Sequence, residues 1–396
     1  MVRPVETDSS IVVGISGGVD SAVAALRLQA SGCVPLGLFM KNWEEDDTDS
    51  HCAAEEDLSE AQAVCDFLDI TLHTVNFSSE YWDKVFKYFL AEYKVGRTPN
   101  PDVLCNSEIK FRSFLDHAMG LGADHIATGH YARVTEDNGI FQLRRSVDDG
   151  KDQTYFLHQL NQHQLSHALF PLGDMNKTQV RDLARSCGLP NHDRKDSTGI
   201  CFIGEHRFRE FLARFLPEKD GEIQTPEGEV IGQHKGVIYY TLGQREGLGI
   251  GGRAGRQGEP WYVVDKQIAD NVLVVVQGHE HPLLFSNHAT TTSMHWIGPS
   301  PDDFPLRCHA QARHRQPPQP CTVELADNGI HVTYETPQRA LTPGQSLVLY
   351  QADVCLGGAP IASTGAITPL SLTLSQRERG SPRSQSVTKH PQIGDN

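Results

Sequence analysis

Apolar residues in the first third of the chain come in short continuous runs separated by amphipathic stretches. Residues 11–16 (IVVGIS) read as a buried strand, 20–31 as a helix ending at Gly32, and 34–39 (VPLGLF) as a second strand. A helix follows near 56–68, a third strand at 71–75 and a helix at about 80–94. Past a Pro/Asn-rich break come a helix near 107–121 and a strand at 124–128. Strands alternating with helices predict βαβ units, hence an α/β fold with a parallel sheet flanked by helices. Right-handed crossovers put the first strand-to-helix turn at the carboxyl edge of that sheet.

The rhythm changes after about residue 205. A helix at 206–216 leads into two glycine-dense stretches, DGEIQTPEGEVIGQHKG and LGQREGLGIGGRAGRQGEP, which predict a small, loop-rich middle domain. From about 284 alternating strands dominate. CTVELADNGIHVTYE (321–335) is a hairpin, with Val323 and Leu325 on one strand and Ile330, Val332 and Tyr334 on the other. PGQSLVLY adds a turn and a strand, and a C-terminal β-barrel is the expected closing unit. The reading therefore divides the chain at 1–205 (the α/β catalytic domain), 206–283 (a small central domain), 284–368 (the barrel) and 369–396. That last stretch is polar and rich in Ser, Arg, Pro and Gln, and is expected to be disordered.

Composition narrows the class. Of 396 residues, 38% are hydrophobic and 21% charged, and no apolar run approaches the roughly 18 residues of a membrane helix. The start, MVRPVETDSS, lacks the apolar core of a signal peptide. Nine cysteines are spaced irregularly with no C-x-x-C, so a reduced, cytoplasmic chain is expected, with no zinc ribbon and no assigned metal ligands. The net charge of −15 by itself argues against a nucleic-acid partner. Basic clusters at 133–145, 206–215 and 313–316 keep local binding open.

The chemistry starts at GISGGVDS, residues 14–21. Gly17 and Gly18 let the backbone bring N–H groups against an anion, and the helix near Asp20 adds its N-terminal dipole. Ser16 and Ser21 can donate hydroxyl hydrogen bonds, and Asp20 can orient a metal-bound phosphate. The loop lacks the lysine of a Walker loop, which serves γ-phosphate transfer. A lysine-free cradle suits the pyrophosphate that leaves when ATP donates AMP; the plain alternative is a glycine turn. Gly247, Gly249 and Gly252 also fit G-x-G-x-x-G, but no strand–helix context surrounds them, so they read as a loop beside Arg245, Arg253 and Arg256. His279 and His281 read as loop histidines, and Glu44-Glu45-Asp46-Asp47 as a solvated acidic loop.

Several segments together resemble one family. GISGGVDSAV, FMKNWEEDD, GRTPNPDVLCNSEIKF, ATGHYAR, KDQTYFL, DSTGICFIGE, YYTLGQREGLGIGG and TPGQSLVLY occur in the order of the tRNA-specific 2-thiouridylases, PP-loop ATP pyrophosphatases. The similarity spans about 9–366. The loop alone would fit other PP-loop enzymes equally well, and the two cysteine motifs make the match specific. A lone cytosolic cysteine is ordinarily a small buried hydrophobe, and Cys33, Cys65, Cys187, Cys308, Cys321 and Cys355 are read so. Cys105 stands between a Pro-rich loop and a helix, whose N-terminus can lower a thiol pKa. Cys201 is flanked by Gly199 and Gly204.

The resemblance implies that Cys201 carries a persulfide, that Cys105 is the second thiol, and that Asp102 acts as acid/base or orients the base. It also implies ATP on Gly14, Ile15, Ser16, Gly17, Gly18, Val19, Asp20, Ser21, Met40 and Gly129, with Mg2+. The target base falls near Asn100, Pro101 and Asp102, and tRNA contacts at His130, Lys151, Asp152, Gln153, Arg313, His314 and Gln345. His314 stands where the family pattern has tyrosine. Implied partners are wobble-uridine tRNAs, the Lys, Glu and Gln acceptors, and a persulfide donor, either a cysteine desulfurase or a relay protein. Asp102, Cys105 and Cys201 are also suitable ligands for an iron–sulfur cluster, which stays open on these residues. Two competing readings stand beside this one: a PP-loop enzyme adenylating a small substrate, and a non-catalytic RNA-binding protein.

Overall fold

The computed structural model describes residues 9–43, 53–196, 208–250 and 258–366. Strand β1 (Ile11–Gly14), helix α1 (Val19–Ala30), β2 (Leu36–Lys41), α2 (Ala53–Leu68) and β3 (Leu72–Asn76) alternate as the apolar runs predict. Two helical runs follow. The first joins α3 (Ser78–Tyr81) to α4 (Lys87–Lys94) through a π-helical turn at Trp82–Phe86. The second joins α5 (Pro101–Leu104) to α6 (Phe114–Gly120) through a π-helical stretch at Cys105–Ser113, so helix begins six residues before the expected 107. The chain continues through β4 (His125–Ala127), β5 (Ala132–Asp137), β6 (Ile140–Arg145), α7 (Thr154–Leu157), α8 (Gln162–His167), β7 (Ala168–Leu169) and α9 (Lys177–Ser186).

Five of these strands form a parallel sheet in the order β3-β2-β1-β4-β7. Its continuous apolar strands have a direct cause. On β1, Val12 packs into one hydrophobic cluster while Ile11 and Val13 pack into another, and Leu38 and Phe39 of β2 divide in the same way. Both faces are therefore buried, which alternating polar residues would forbid. The strand order reverses between β1 and β4, making a crevice at their carboxyl ends, the usual ligand position in such sheets.

Helix α10 (Phe208–Phe215) sends Phe211 and Leu212 into the first core, where Trp43 meets Phe86 at 4.9 Å and Phe211 at 5.5 Å between ring centroids. Strands β8 (Gly221–Gln224), β9 (Val230–His234), β10 (Trp261–Gln267) and β11 (Val272–Gln277) form a separate sheet in the order β10-β11-β8-β9. The last unit comprises β12 (Phe285–Thr291), β13 (His295–Trp296), β14 (Leu306–Gln311), β15 (Gln319–Ala326), β16 (Gly329–Arg339), β17 (Ser346–Gln351) and β18 (Val354–Ala366). Six of them, β12-β16-β15-β14-β17-β18, close into a barrel through the β12–β18 pairing. Closure leaves these strands without an open edge. The expected hairpin is β15–β16, with Val323 opposite Val332; Leu325, opposite Ile330, is exposed.

One element lies outside the sequence reading. The basic segment 133–145 is the β5–β6 hairpin, and β6 pairs with β18, extending the barrel sheet with a piece of the N-terminal half. Arg133 and Arg144 both bind Asp353, at 2.9 and 2.8 Å, so their charge fastens the hairpin to the barrel. The expected tail at 369–396 lies outside the described residues.

Candidate nucleotide and thiol site

The loop after β1 sits at the crevice. Ile15 and Val19 are buried and anchor it at both ends, leaving Ser16 exposed between them. The Ser16 amide donates to Ser21 Oγ at 3.2 Å, and the two hydroxyl oxygens are 3.3 Å apart. Ser21 donates to the Gly18 carbonyl at 2.9 Å. Gly17 needs its missing side chain: its φ is +77°, and a Cβ would lie 2.6 Å from the Arg194 guanidinium and 2.7 Å from the Asp57 carbonyl oxygen. Gly18 precedes α1 in an extended conformation and caps it with no side chain. Gly18 thus offers the first-turn amides of this 12-residue helix no side-chain acceptor, as an anion site requires.

Gly129, after β4, completes the cradle. A Cβ there would fall 2.8 Å from the Asp20 carbonyl carbon and the Ser21 amide nitrogen, so this turn touches the backbone of α1 directly. Met40 is partly buried near the carboxyl end of β2, beside β1.

Asp20 holds a dense charge cluster. The Tyr131 hydroxyl donates to Asp20 Oδ1 at 2.8 Å, and Lys177 Nζ lies 2.8 and 2.9 Å from its two oxygens. Lys177 also bonds Asp196 at 2.8 Å, and Asp196 takes Lys151 and Arg181 at 2.7 Å each. Partial burial alone would raise the Asp196 pKa; hydrogen bonds and charge from Lys151 and Lys177 reverse this and hold it well below the carboxylate range. Burial and then the Asp20 charge push the Tyr131 hydroxyl far above its ordinary pKa, so it stays a donor.

The thiol segment lies on α5. Asn100 caps this helix by accepting from the Asp102 amide at 3.1 Å, and Pro101 occupies the first helical position. Cys105 follows one turn after Asp102, which puts the two side chains on the same face of the helix. Its thiol is buried where α5 passes into the π-helical stretch, inside the helical run rather than at the free N-terminus expected from the sequence. The barrel pins this segment from outside: the Thr98 amide donates to the Pro343 carbonyl at 3.0 Å, and Gln345 Nε2 to the Thr98 carbonyl at 2.7 Å. Cys201, Gly199 and Gly204 lie outside the described residues.

Comparison with known proteins decides the family. Residues 9–205 match the model described as tRNA methyl transferase HUP domain. Residues 209–277 match the tRNA methyl transferase PRC-barrel domain, and 286–361 the aminomethyltransferase beta-barrel domain. The chain is 58% identical over 359 residues to the tRNA-specific 2-thiouridylase MnmA of Methylococcus capsulatus, covering 89% of this chain and 96% of that one. It is 56% identical to the same-named protein of Methylobacillus flagellatus, over 89% of this chain and 98% of that one. The chain belongs to the tRNA-specific 2-thiouridylase family.

Within a 2-thiouridylase frame, several residues implied as tRNA contacts carry internal bonds. His130 Nδ1 lies 2.8 Å from Thr128 Oγ1, with Phe111 and Phe170 rings beside it; burial, then Lys110, holds its pKa well below normal. Buried Asp152 accepts from the Ser146 amide and the Thr154 hydroxyl at 2.9 and 2.6 Å. Gln153 Oε1 accepts from the Tyr131 amide at 2.8 Å. Arg313 donates to the carbonyls of Leu242 and Ala340 at 2.9 Å each, joining the barrel to the central unit. The His314 ring lies 4.4 Å from that of Phe156.

The remaining motif candidates resolve into local structure. Gly247 lies in a turn at φ +76° and Gly249 in the loop after it at φ +66°; Gly252, Arg253, Arg256 and the acidic run 44–47 lie outside the described residues. His281 accepts from the Leu283 amide, and His279 lies 2.5 Å from Glu280. Cys33, Cys65, Cys308, Cys321 and Cys355 are buried as expected, whereas Cys187 is exposed. Among the described residues no three His, Cys, Asp or Glu side chains form a metal-type cluster, and no helix is long and apolar enough to cross a membrane.

Sequence reading missed Lys177, Arg181, Arg194, Asp196, Tyr131 and Asn191, which donates to the Gly17 carbonyl at 2.8 Å. One signal was available. Lys177 is the first residue of α9, behind the Asn176 cap and with no acidic residue in that turn. A cation there opposes the helix dipole and calls for an acidic partner from elsewhere in the fold.

Proposed function

We propose that this ATP-dependent 2-thiouridylase replaces O2 of the wobble uridine of tRNA with sulfur in two steps at the β1/β4 crevice. The observation that carries the reading is the presence of two sites in the one α/β domain. A glycine loop with no side-chain cap faces the crevice, and Asp102 and Cys105 stand one turn apart in a helical run whose leading segment is pinned by the barrel. In the first step uracil O2 attacks the α-phosphorus of ATP. The bond from that phosphorus to the bridging oxygen breaks, and pyrophosphate leaves on the amides and hydroxyls of Gly14–Ser21. Adenylation is needed because a carbonyl oxygen is a poor leaving group. Met40 and Gly129 border the nucleotide, and Asp20 is suited to a Mg2+ ion that neutralises phosphate charge, since such ions take one or two carboxylates plus phosphates.

In the second step the terminal sulfur of a Cys201 persulfide attacks C2. The C2–O bond breaks and AMP departs with the oxygen. The Cys105 thiolate attacks Cys201 Sγ, the sulfur–sulfur electron pair stays with the transferred sulfur, and a Cys105–Cys201 disulfide remains for a dithiol reductant. Asp102 takes or returns the proton, or orients the base held near Asn100 and Pro101. On this reading residues 1–205 do the chemistry, while 284–368 contribute tRNA contacts. The substrates are the Lys, Glu and Gln acceptors, and the sulfur comes from a cysteine desulfurase or relay protein in the reducing cytoplasm.

The test is mass analysis of the wobble nucleoside after incubating iron-depleted full-length enzyme with ATP, tRNA and a persulfide donor protein. Cys201→Ser should stop thiolation. Cys105→Ser should accumulate added sulfur mass, removable by reductant, on the Cys201 peptide. Full thiolation by either variant would remove the proposed division between the thiols, and activity only after iron loading would favour a cluster mechanism.

A further inference from the structure

The loop contains no lysine, yet a lysine reaches it from another element. Helix α9 packs Val180 and Ala184 into the core shared with α1. Lys177, three residues before Val180 on the same face, is thereby aimed at the first turn of α1. Its side chain is only 13% exposed, and its ammonium bridges Asp20 and Asp196. A cation at the start of a helix opposes the helix dipole; the Asp148 carboxylate, accepting from the Lys177 amide at 2.8 Å, offsets this, while the ammonium itself turns away from its own helix to Asp20 and Asp196.

We infer that Lys177 is a phosphate-binding residue of this enzyme, supplying from α9 the cation absent from the loop and exchanging Asp20 for a pyrophosphate oxygen of ATP. The inference rests on the adenylating function proposed above. Polyphosphate seated at the α1 N-terminus brings negative charge against the Asp20 carboxylate. An ammonium between them cancels that repulsion, and its three donors let it keep Asp196 while changing its other partner. As the α-phosphorus–oxygen bond breaks, charge gathers on the departing pyrophosphate, where a fixed cation stabilises it. Asp196 also receives Lys151 and Arg181, so it is positioned to hold Lys177 in place during the exchange.

Isothermal titration of the full chain with metal-free inorganic pyrophosphate, and separately with AMP, tests this without relying on turnover. Lys177→Gln should weaken pyrophosphate binding at least tenfold and leave AMP within twofold. Asp20→Asn and the double variant Asp20→Asn/Lys177→Gln complete a cycle, and the double variant keeps the pair neutral should the single one fold poorly. The same tenfold loss should appear on the Asp20→Asn background. A pyrophosphate affinity within twofold after Lys177 replacement on either background would overturn the inference; on the Asp20→Asn background it would mean that Lys177 only neutralises Asp20. A parent chain that binds neither ATP nor pyrophosphate would instead bring down the adenylation reading, and this inference with it.

Discussion

His158 is fully buried, with Nδ1 2.8 Å from the Tyr155 carbonyl and Nε2 with no hydrogen-bond partner among the described residues. Burial first, with the nearby His295 adding to it, pulls its pKa down to about 4 from an ordinary 6.5. The folded chain therefore binds this proton less readily than the unfolded chain. The stability involved is fully present above pH 6.5 and is lost as pH falls toward 4. From pH 7 to pH 5 the loss amounts to about 2 kcal/mol. Urea unfolding of the parent and of His158→Gln at both pH values measures it; equal pH dependence in the two proteins would rule the assignment out. Gly129 makes a different kind of prediction. A methyl group there meets backbone of α1, which cannot rotate away. Gly129→Ala should displace the cradle and lower ATP affinity about 10- to 100-fold, since small misplacements in such sites are costly; parent-like affinity in a direct titration would contradict this.

At the scale of elements, Gln345 and Arg313 act as fasteners between units. Gln345→Ala removes the bond to the Thr98 carbonyl, worth about 1 kcal/mol, and should speed hydrogen exchange at residues 97–100 ahead of α5. Unchanged exchange there would show that this bond does not restrain the segment in solution. Arg313→Ala strips a charged donor from two carbonyls and should cost about 3 kcal/mol in unfolding experiments. The βαβ order, the glycine loop and the α5 cysteine were legible because apolar runs and turn residues are local signals. The β5–β6 hairpin was not legible, because Arg133 and Arg144 read only as a basic cluster until Asp353, more than 200 residues away, appears beside them. Lys177 was hidden for the same reason: its meaning lies in Asp20, on another helix.

For the whole molecule, a net charge of −15 must be reconciled with a polyanionic substrate. Much of the positive charge flagged in the sequence is already engaged. Arg133 and Arg144 hold Asp353, Arg145 holds Asp149 and Asp152, and Arg209 holds Glu218. Phosphates reaching these arginines would have to displace carboxylates, so they should contribute little counterion release. Arg315 differs. It is exposed, follows His314, and has no ion pair among the described residues, which makes it available to a phosphate. Each such contact contributes about −0.7 to −0.9 to the slope of log affinity against log salt. The parent affinity for tRNA should fall as salt rises, and Arg315→Glu should flatten that slope by about one. Arg133→Glu should leave the slope nearly unchanged and lower the melting temperature, because it sets a second carboxylate against Asp353. Filter binding across a salt series, with thermal unfolding of each variant, separates the two arginines. A salt-insensitive parent, or an Arg315→Glu line parallel to it, would show that RNA is held by contacts other than this exposed cation.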